Sequence, residues 1–238
     1  MAQLPPSRTP DGRGQQNRYR QLIDKIFFDR FAEGMTEIGF ERNDIRQAAA
    51  TLGVPLPDNL GDVIYSFRFR TPLSDRMLAT QPDGMAWRIE LAGKSKYRFK
   101  LGRENRIVPN TRLVKTDIPD STPDIIGAYA LDDEQALLAI VRYNRLIDTF
   151  LSITAFSLQN HLRTTVRGMG QIEIDEVYVG VDTHGVHYVA PVQAKGGKDQ
   201  ISVVQTEQDI RACAEKFGAA ACRPVSVQFL RDRTIAMF

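Results

Sequence analysis

Four side chains between Gln171 and Lys195 have the types and spacing to hold a hard cation beside a phosphate: Glu173, Asp175, Gln193 and Lys195. Side chains alternate along a strand, so Glu173 and Asp175 share one face, with Val177, Val179 and Val181 continuing it. On a second strand Gln193 and Lys195 share a face with Val189. Brought together, these faces carry two carboxylates, an amide oxygen and an ammonium. Oxygen donors of this kind suit Mg²⁺, and that ion suits metal-assisted hydrolysis of a phosphodiester.

The elements that bring them together read as a β-hairpin. Thr183-His184-Gly185, with glycine at the left-handed position, is a three-residue hairpin loop. It pairs Asp182 with Val186; counting back pairs Asp175 with Gln193 and Glu173 with Lys195. Pro191 removes a ladder hydrogen bond and marks an edge, a bulge or a splay of the strands. Gly196-Gly197 ends the second strand at the lysine. The plain alternative is an exposed cross-strand ion pair of modest worth. Against it stands the apolar content of both strands (Ile172, Ile174, Val177, Val179; Val186, Val189, Val192), among which charged groups sit at a cost unless something uses them.

An acidic strand, then a Gln-x-Lys strand, then a helix resembles the PD-(D/E)XK nuclease superfamily. Asp175 matches its metal-binding aspartate, and Gln193-Ala194-Lys195 matches its terminal Glu-x-Lys element in the Gln-x-Lys variant. Glu173-Ile174 stands where the fuller pattern has Pro-Asp, and the glutamine takes one negative charge from the site. The resemblance covers roughly the second half of the chain. It implies catalytic Asp175, Gln193 and Lys195, with Mg²⁺ held by Asp175, Gln193 and the Ala194 carbonyl, and Glu173 available to a second ion. A helix ahead of the acidic strand adds an acid in some members; Glu134 is the only glutamate placed for it, and it lies early in the chain.

The rest of the composition is that of an ordinary globular chain: 238 residues, 42% hydrophobic, 25% charged, net charge +2. No apolar run approaches the roughly 20 residues of a membrane span. The polar start and the two cysteines, Cys213 and Cys222, which match no metal spacing, lead to the expectation of a cytoplasmic protein with reduced thiols. Charge is uneven: 20 Lys and Arg against 14 Asp and Glu through residue 118, then 11 against 15. That split fits a nucleic-acid-gripping half joined to a cation-binding half.

In the first half, residues 1–17 read as a flexible arm rich in Pro and Gly. Helices are expected over Arg18–Gly34, Ile45–Leu52 (capped by Asp44, closed by Gly53) and Asn59–Arg70. A hairpin follows, 86–91 and 96–101. Three helices and a basic hairpin resemble a winged-helix domain, assigned to residues 18–115, with a linker near 108–122. Lys94, Lys96, Arg98 and Lys100 recur every second residue as a cationic row. That row reads either as a phosphate grip or as a charged edge that blocks sheet pairing. Arg68 and Arg70 end the third helix and are candidates for groove contacts. Trp87, Tyr97 and Phe99 read as core.

The second half, 120–238, is expected to open with a long helix from Asp132-Asp133 to Phe150. A second helix, Ile153 to Val166, carries Asn160, His161 and Arg163. The hairpin follows, then a helix to Phe217 with Gln205 and Gln208 outward, and a final strand at Val225, Val227 and Phe229. The fold class is therefore α+β or α/β in two domains, with a restriction-endonuclease-like mixed sheet flanked by helices. The resulting expectation is a Mg²⁺-dependent endonuclease on double-stranded DNA, of the type II restriction kind, acting as a homodimer to cut both strands and not bound to membrane. A repair or modified-base-dependent nuclease shares every one of these features. A non-catalytic DNA-binding regulator with a degenerate nuclease fold is the reading from another class.

Overall fold

A computed structural model describes residues 12–103, 106–110, 112–129, 134–196, 199, 201–230 and 234–238. The chain divides into two compact units, Met1–Glu90 with Ser95–Arg103, and Leu91–Lys94 with Glu104–Phe238. Arg8 and the start of the expected arm lie outside the described residues, whereas residues 12–17 are helical.

The first unit runs α1 (Gly12–Phe28), β1 (Glu37–Glu41), α2 (Arg42–Leu52), α3 (Gly61–Tyr65), a wide π turn (Ser66–Arg70), α4 (Asp75–Leu78), β2 (Ala86–Gly93) and β3 (Lys96–Gly102). The sheet order is β1-β3-β2, with β1 antiparallel to β3. Sequence reading missed β1, a short EIGFE segment in which Ile38 and Phe40 alone turn inward. It also placed the α2 cap at Asp44. The helix instead starts at Arg42, with Glu41 as N-cap and Asp44 closing a capping box, Glu41 N donating to Asp44 Oδ2 at 2.7 Å. Gly53 ends α2 at φ +65°, a conformation that glycine adopts without strain. Phe27 sits at the centre of the core, edge-on to Phe99 (5.2 Å) and Trp87 (5.1 Å).

The second unit adds β4 (Arg106–Ile107), α5 (Asp124–Tyr129), α6 (Glu134–Tyr143), α7 (Leu146–Leu151), β5 (Thr154–Val166), β6 (Gly170–Val181), β7 (His187–Lys195), β8 (Ile201–Ser202), α8 (Val203–Lys216), β9 (Ala221–Cys222), β10 (Val225–Phe229) and β11 (Ile235–Met237). Its main sheet runs β11-β10-β7-β6-β5, with β9 also on β7, and β4 pairs β8 apart from it. The sheet is mixed: β5, β6 and β7 form an antiparallel meander, and α8 crosses over to make β10 parallel to β7. Helices cover both faces. Leu137, Leu138, Val141, Leu146 and Ile147 pack on Tyr178, Ala190, Val192 and Val225. Ala212 and Cys213 of α8 lie with Ile172, Ile174, Val177 and Val189.

Two expectations fail here. The single helix from Asp132 to Phe150 is two helices, broken at Arg145, whose φ is +49°; Asp132 and Asp133 lie outside the described residues. The helix expected over 153–166 is the strand β5. Its apolar residues fall at helix-like steps because a bulge between Ser157 and Gln159 and a left-handed His161 (φ +49°) displace them from strict alternation. As the sheet's outer strand it also leaves Phe156 and Leu158 exposed. No described helix is long and apolar enough to cross a membrane.

Candidate active site

The hairpin β6–β7 has the expected register from its turn to Glu176↔Val192, but the ladder stops before the expected Asp175–Gln193 and Glu173–Lys195 pairs form. Asp182 N donates to Val186 O, Gly185 turns at φ +79°, and the ladder runs from Val181↔His187 through Val177↔Pro191 to Glu176↔Val192. Pro191 is accommodated within it, and the strands diverge immediately after the Glu176↔Val192 pair. On the other side, β5 pairs Asn160 with Glu176 and Leu162 with Ile174, skipping the left-handed His161. The β6–β7 ladder therefore ends beside Asp175, while the β5–β6 ladder keeps its register across that point and lacks only the His161–Asp175 pair. The side chain freed there turns to the opposite strand, where Oδ2 accepts from Ala194 N at 2.8 Å.

The same break upsets the strict alternation assumed for β6. Ile172, Ile174 and Val177 all belong to the α8-side core, whereas Tyr178 packs on the α6–α7 side. Neighbouring Glu176 also goes to α6: it is 0% exposed and paired with Arg142 at 2.9 Å. Asp175 and Val177 consequently do not continue one face.

Lys195 is 6% exposed, and its Nζ lies 3.0 Å from Glu134 Oε1 in the first turn of α6. Burial pushes the Asp175 carboxyl above its usual range. The Ala194 N–H and the Lys195 charge oppose that rise, and the charges of Glu134 and Glu173 add to it. Asp175, Ala194, Lys195 and Glu134 thus form one cluster. Glu134 is the member sequence reading set aside, because it stands 41 positions before Asp175 and nothing local betrays their proximity. An acid at the start of an apolar helix ahead of the acidic strand was the only signal for it.

Glu173 and Gln193 are placed differently from the expectation. Glu173 is clamped by His161 Nδ1 and Arg163 Nε, each at 3.0 Å. Burial pushes its carboxyl up, but these two partners outweigh that and hold it below the usual range. Gln193, 3% exposed, donates through Nε2 to Asp209 Oδ2 (3.0 Å) and Glu173 O (3.3 Å), and its Oε1 meets Gln205 Nε2 at 3.4 Å. Of the α8 residues expected to face outward, Gln208 is buried and Gln205 half-buried against Gln193.

Among the described residues no three His, Cys, Asp or Glu side chains gather as a metal-binding group. A cation would therefore rest on mixed donors: the Asp175 and Glu134 carboxylates, the Gln193 amide oxygen and the Ala194 carbonyl. All are hard oxygens, and Gln205 Oε1 beside them is buried without a hydrogen-bond partner. The donor set fits Mg²⁺ rather than a softer metal.

Along the β2–β3 hairpin the cationic row is half neutralised. Glu90 is buried and takes Arg88 Nε (2.8 Å), Arg98 NH2 (2.9 Å) and, more loosely, Lys100 Nζ (3.7 Å). Arg98 also reaches Glu37 at 3.2 Å. Lys96 is exposed, with only a long contact to Glu41 (3.7 Å), and Lys94 is exposed. Arg68 is pushed down to about 10 by burial, against the charges of Tyr97, Glu90 and Tyr65, and its guanidinium lies over Phe69. Arg70 is exposed and lies over Tyr65. Lys94, Lys96 and Arg70 are thus better placed to meet solvent than Arg68, Arg98 or Lys100.

Compared with known proteins, the chain matches no family model, no curated protein and no solved structure.

Proposed function

We propose that the chain is a Mg²⁺-dependent endonuclease of double-stranded DNA, with its active site at the break in β6. The single observation that carries this reading is the convergence of Asp175, the Ala194 peptide, Lys195 and Glu134 where the β6–β7 ladder ends. A purely structural ion pair would not call for a half-buried aspartate at the point where that ladder ends. The element order α6–α7, β5, β6, β7, α8, β10 also supports it, since it contains the acidic strand, the Gln-x-Lys strand and the following helix on which the PD-(D/E)XK resemblance rests.

A divalent ion bound by these oxygens would polarise the scissile phosphate and acidify a water. The chain's own contribution is positional and electrostatic. The buried Lys195 ammonium, held by Glu134, meets charge growing on the phosphorane from a fixed direction. Arg163, on the strand beside Asp175, adds positive charge beside Glu173. The first unit, read as winged-helix-like, supplies affinity through exposed Lys96 and Arg70, with Lys94 at the turn of the β2–β3 hairpin. Cutting two strands calls for two such sites, hence a homodimer.

The test is incubation of the purified protein with plasmid DNA and Mg²⁺, with and without EDTA. Linear product that EDTA abolishes is the expected result. DNA binding without cleavage under any divalent ion would instead support the regulator reading.

A further inference from the structure

We infer that Asp209 of α8 is a positioning residue that fixes which end of the Gln193 amide is presented to a ligand. A glutamine side chain has two nearly isosteric ends, and only its hydrogen-bond partners decide which way round it sits. Here both amide protons have acceptors, Asp209 Oδ2 at 3.0 Å and Glu173 O at 3.3 Å. The oxygen is left as the end with spare capacity; among the described residues its one partner is Gln205 Nε2 at 3.4 Å. Exchanging the ends would place the amide oxygen against a main-chain carbonyl and an acid.

Asp209 is 2% exposed on the α8 face against β7, beside Cys213 and Ala212, where a carboxyl is costly unless its hydrogen bonds are used. A helix anchored only by packing would carry an apolar residue there. An acceptor at this position gives the neutral Gln193 the fixed orientation that a symmetric carboxylate at the same place would not need. The inference rests on the proposed reading of Gln193 as an oxygen donor, and it adds to the site a residue outside the Asp175–Lys195 cluster.

Two readouts on the full chain test it. The first is the Gln193 side-chain NH₂ resonance in the metal-free protein, identified by its loss in Gln193→Ala. The second is the Mg²⁺ binding isotherm by calorimetry. Asp209→Asn retains an acceptor oxygen and should preserve both the protected resonance and the affinity within about threefold. Asp209→Leu should expose the NH₂ to rapid exchange and weaken Mg²⁺ roughly ten- to a hundredfold, as removal of a ligand's supporting partner does. A folded Asp209→Leu protein with the resonance still protected overturns the inference.

If Asp209→Leu does not fold, a swap decides. Gln193→Glu places two acids in contact and should lower the metal-free thermal midpoint, and adding Asp209→Asn should restore it, because the new amide donates to the new carboxylate. Equal midpoints for the single and double variants overturn the inference. A protected Gln193 resonance that depends on Asp209 in a protein that binds no Mg²⁺ would keep the positioning role and sink the nuclease reading.

Discussion

Lys195 Nζ and Glu134 Oε1 lie 3.0 Å apart although the residues are 61 positions apart in the chain. The pair joins the first turn of α6 to the last residue of β7, and it does so at the mouth of the gap that Asp175 occupies. A buried ammonium paired with a carboxylate is held in place, and under the proposed function a phosphate would offer it a second set of oxygens.

Lys195→Ala should abolish plasmid cleavage while leaving DNA affinity within a few-fold, since the ammonium acts on charge that grows in the transition state. Cleavage rates and filter binding on the same preparations check this. Cleavage at the wild-type rate would place the chemistry elsewhere.

Glu134→Gln keeps a hydrogen-bond acceptor for Lys195 but removes the charge. Cleavage should fall by about ten- to a hundredfold, and the Mg²⁺ concentration for half-maximal rate should rise. If the rate falls with no change in that midpoint, Glu134 serves Lys195 alone and does not reach the cation.

Asp175→Ala should remove both cleavage and the strongest step of the Mg²⁺ isotherm. Loss of a half-buried carboxyl that desolvation and neighbouring acids already disfavour as an anion should leave the fold standing, or raise its thermal midpoint slightly. An unchanged isotherm would exclude Asp175 as a ligand.

Along the β2–β3 hairpin the basic row should split into two classes. Charge reversal at Lys94 and Lys96 should weaken DNA binding on every sequence and flatten the salt dependence by about 0.9 per lost phosphate contact. Reversal at Arg98, which holds Glu90 and Glu37, should lower stability first. If all these variants alter the salt slope equally and none unfolds, Glu90 does not sequester Arg98.

Glu90 also makes a pH prediction. Burial raises its carboxyl, but the Arg98 hydrogen bond and the charges of Arg88, Lys100 and Arg98 outweigh that and hold it below its ordinary 4.5. A depressed carboxylate stabilises the fold fully above its unfolded value, and that contribution is lost as pH falls through the lower folded value. Glu90→Gln should cost about 3 kcal/mol near neutral pH, because it strips a buried ion cluster of its central anion, and the deficit should shrink as pH drops from about 6 to about 3. Fluorescence of Trp87, the chain's single tryptophan and buried in the same unit, reports the transition. A deficit that stays constant across that range would mean Glu90 is not ionised in the folded protein.

The sequence by itself determined the hairpin of the site. Gly185 permits one turn geometry, a turn of fixed length sets one register, and period-two apolar residues bury one way round, so Asp182↔Val186 propagated correctly to Glu176↔Val192. The basic hairpin, α2 and the core roles of Trp87, Tyr97 and Phe99 were legible for the same reason: each is a local pattern whose energetics close within a dozen residues. Only the tertiary structure decided the rest. β5 looks helical in isolation because a bulge and a left-handed histidine spoil its alternation, and such irregularities are stabilised by the strand beside them, not by the segment itself. Glu134, Asp209 and Glu90 were invisible as functional or structural anchors because the partners that define them are fixed by packing rather than by spacing. Which carboxylate meets Lys195, which one orients Gln193, and which arginines are free for a phosphate all follow from what the packed sheet and helices bring within about 3 Å, a length scale that sequence spacing does not encode.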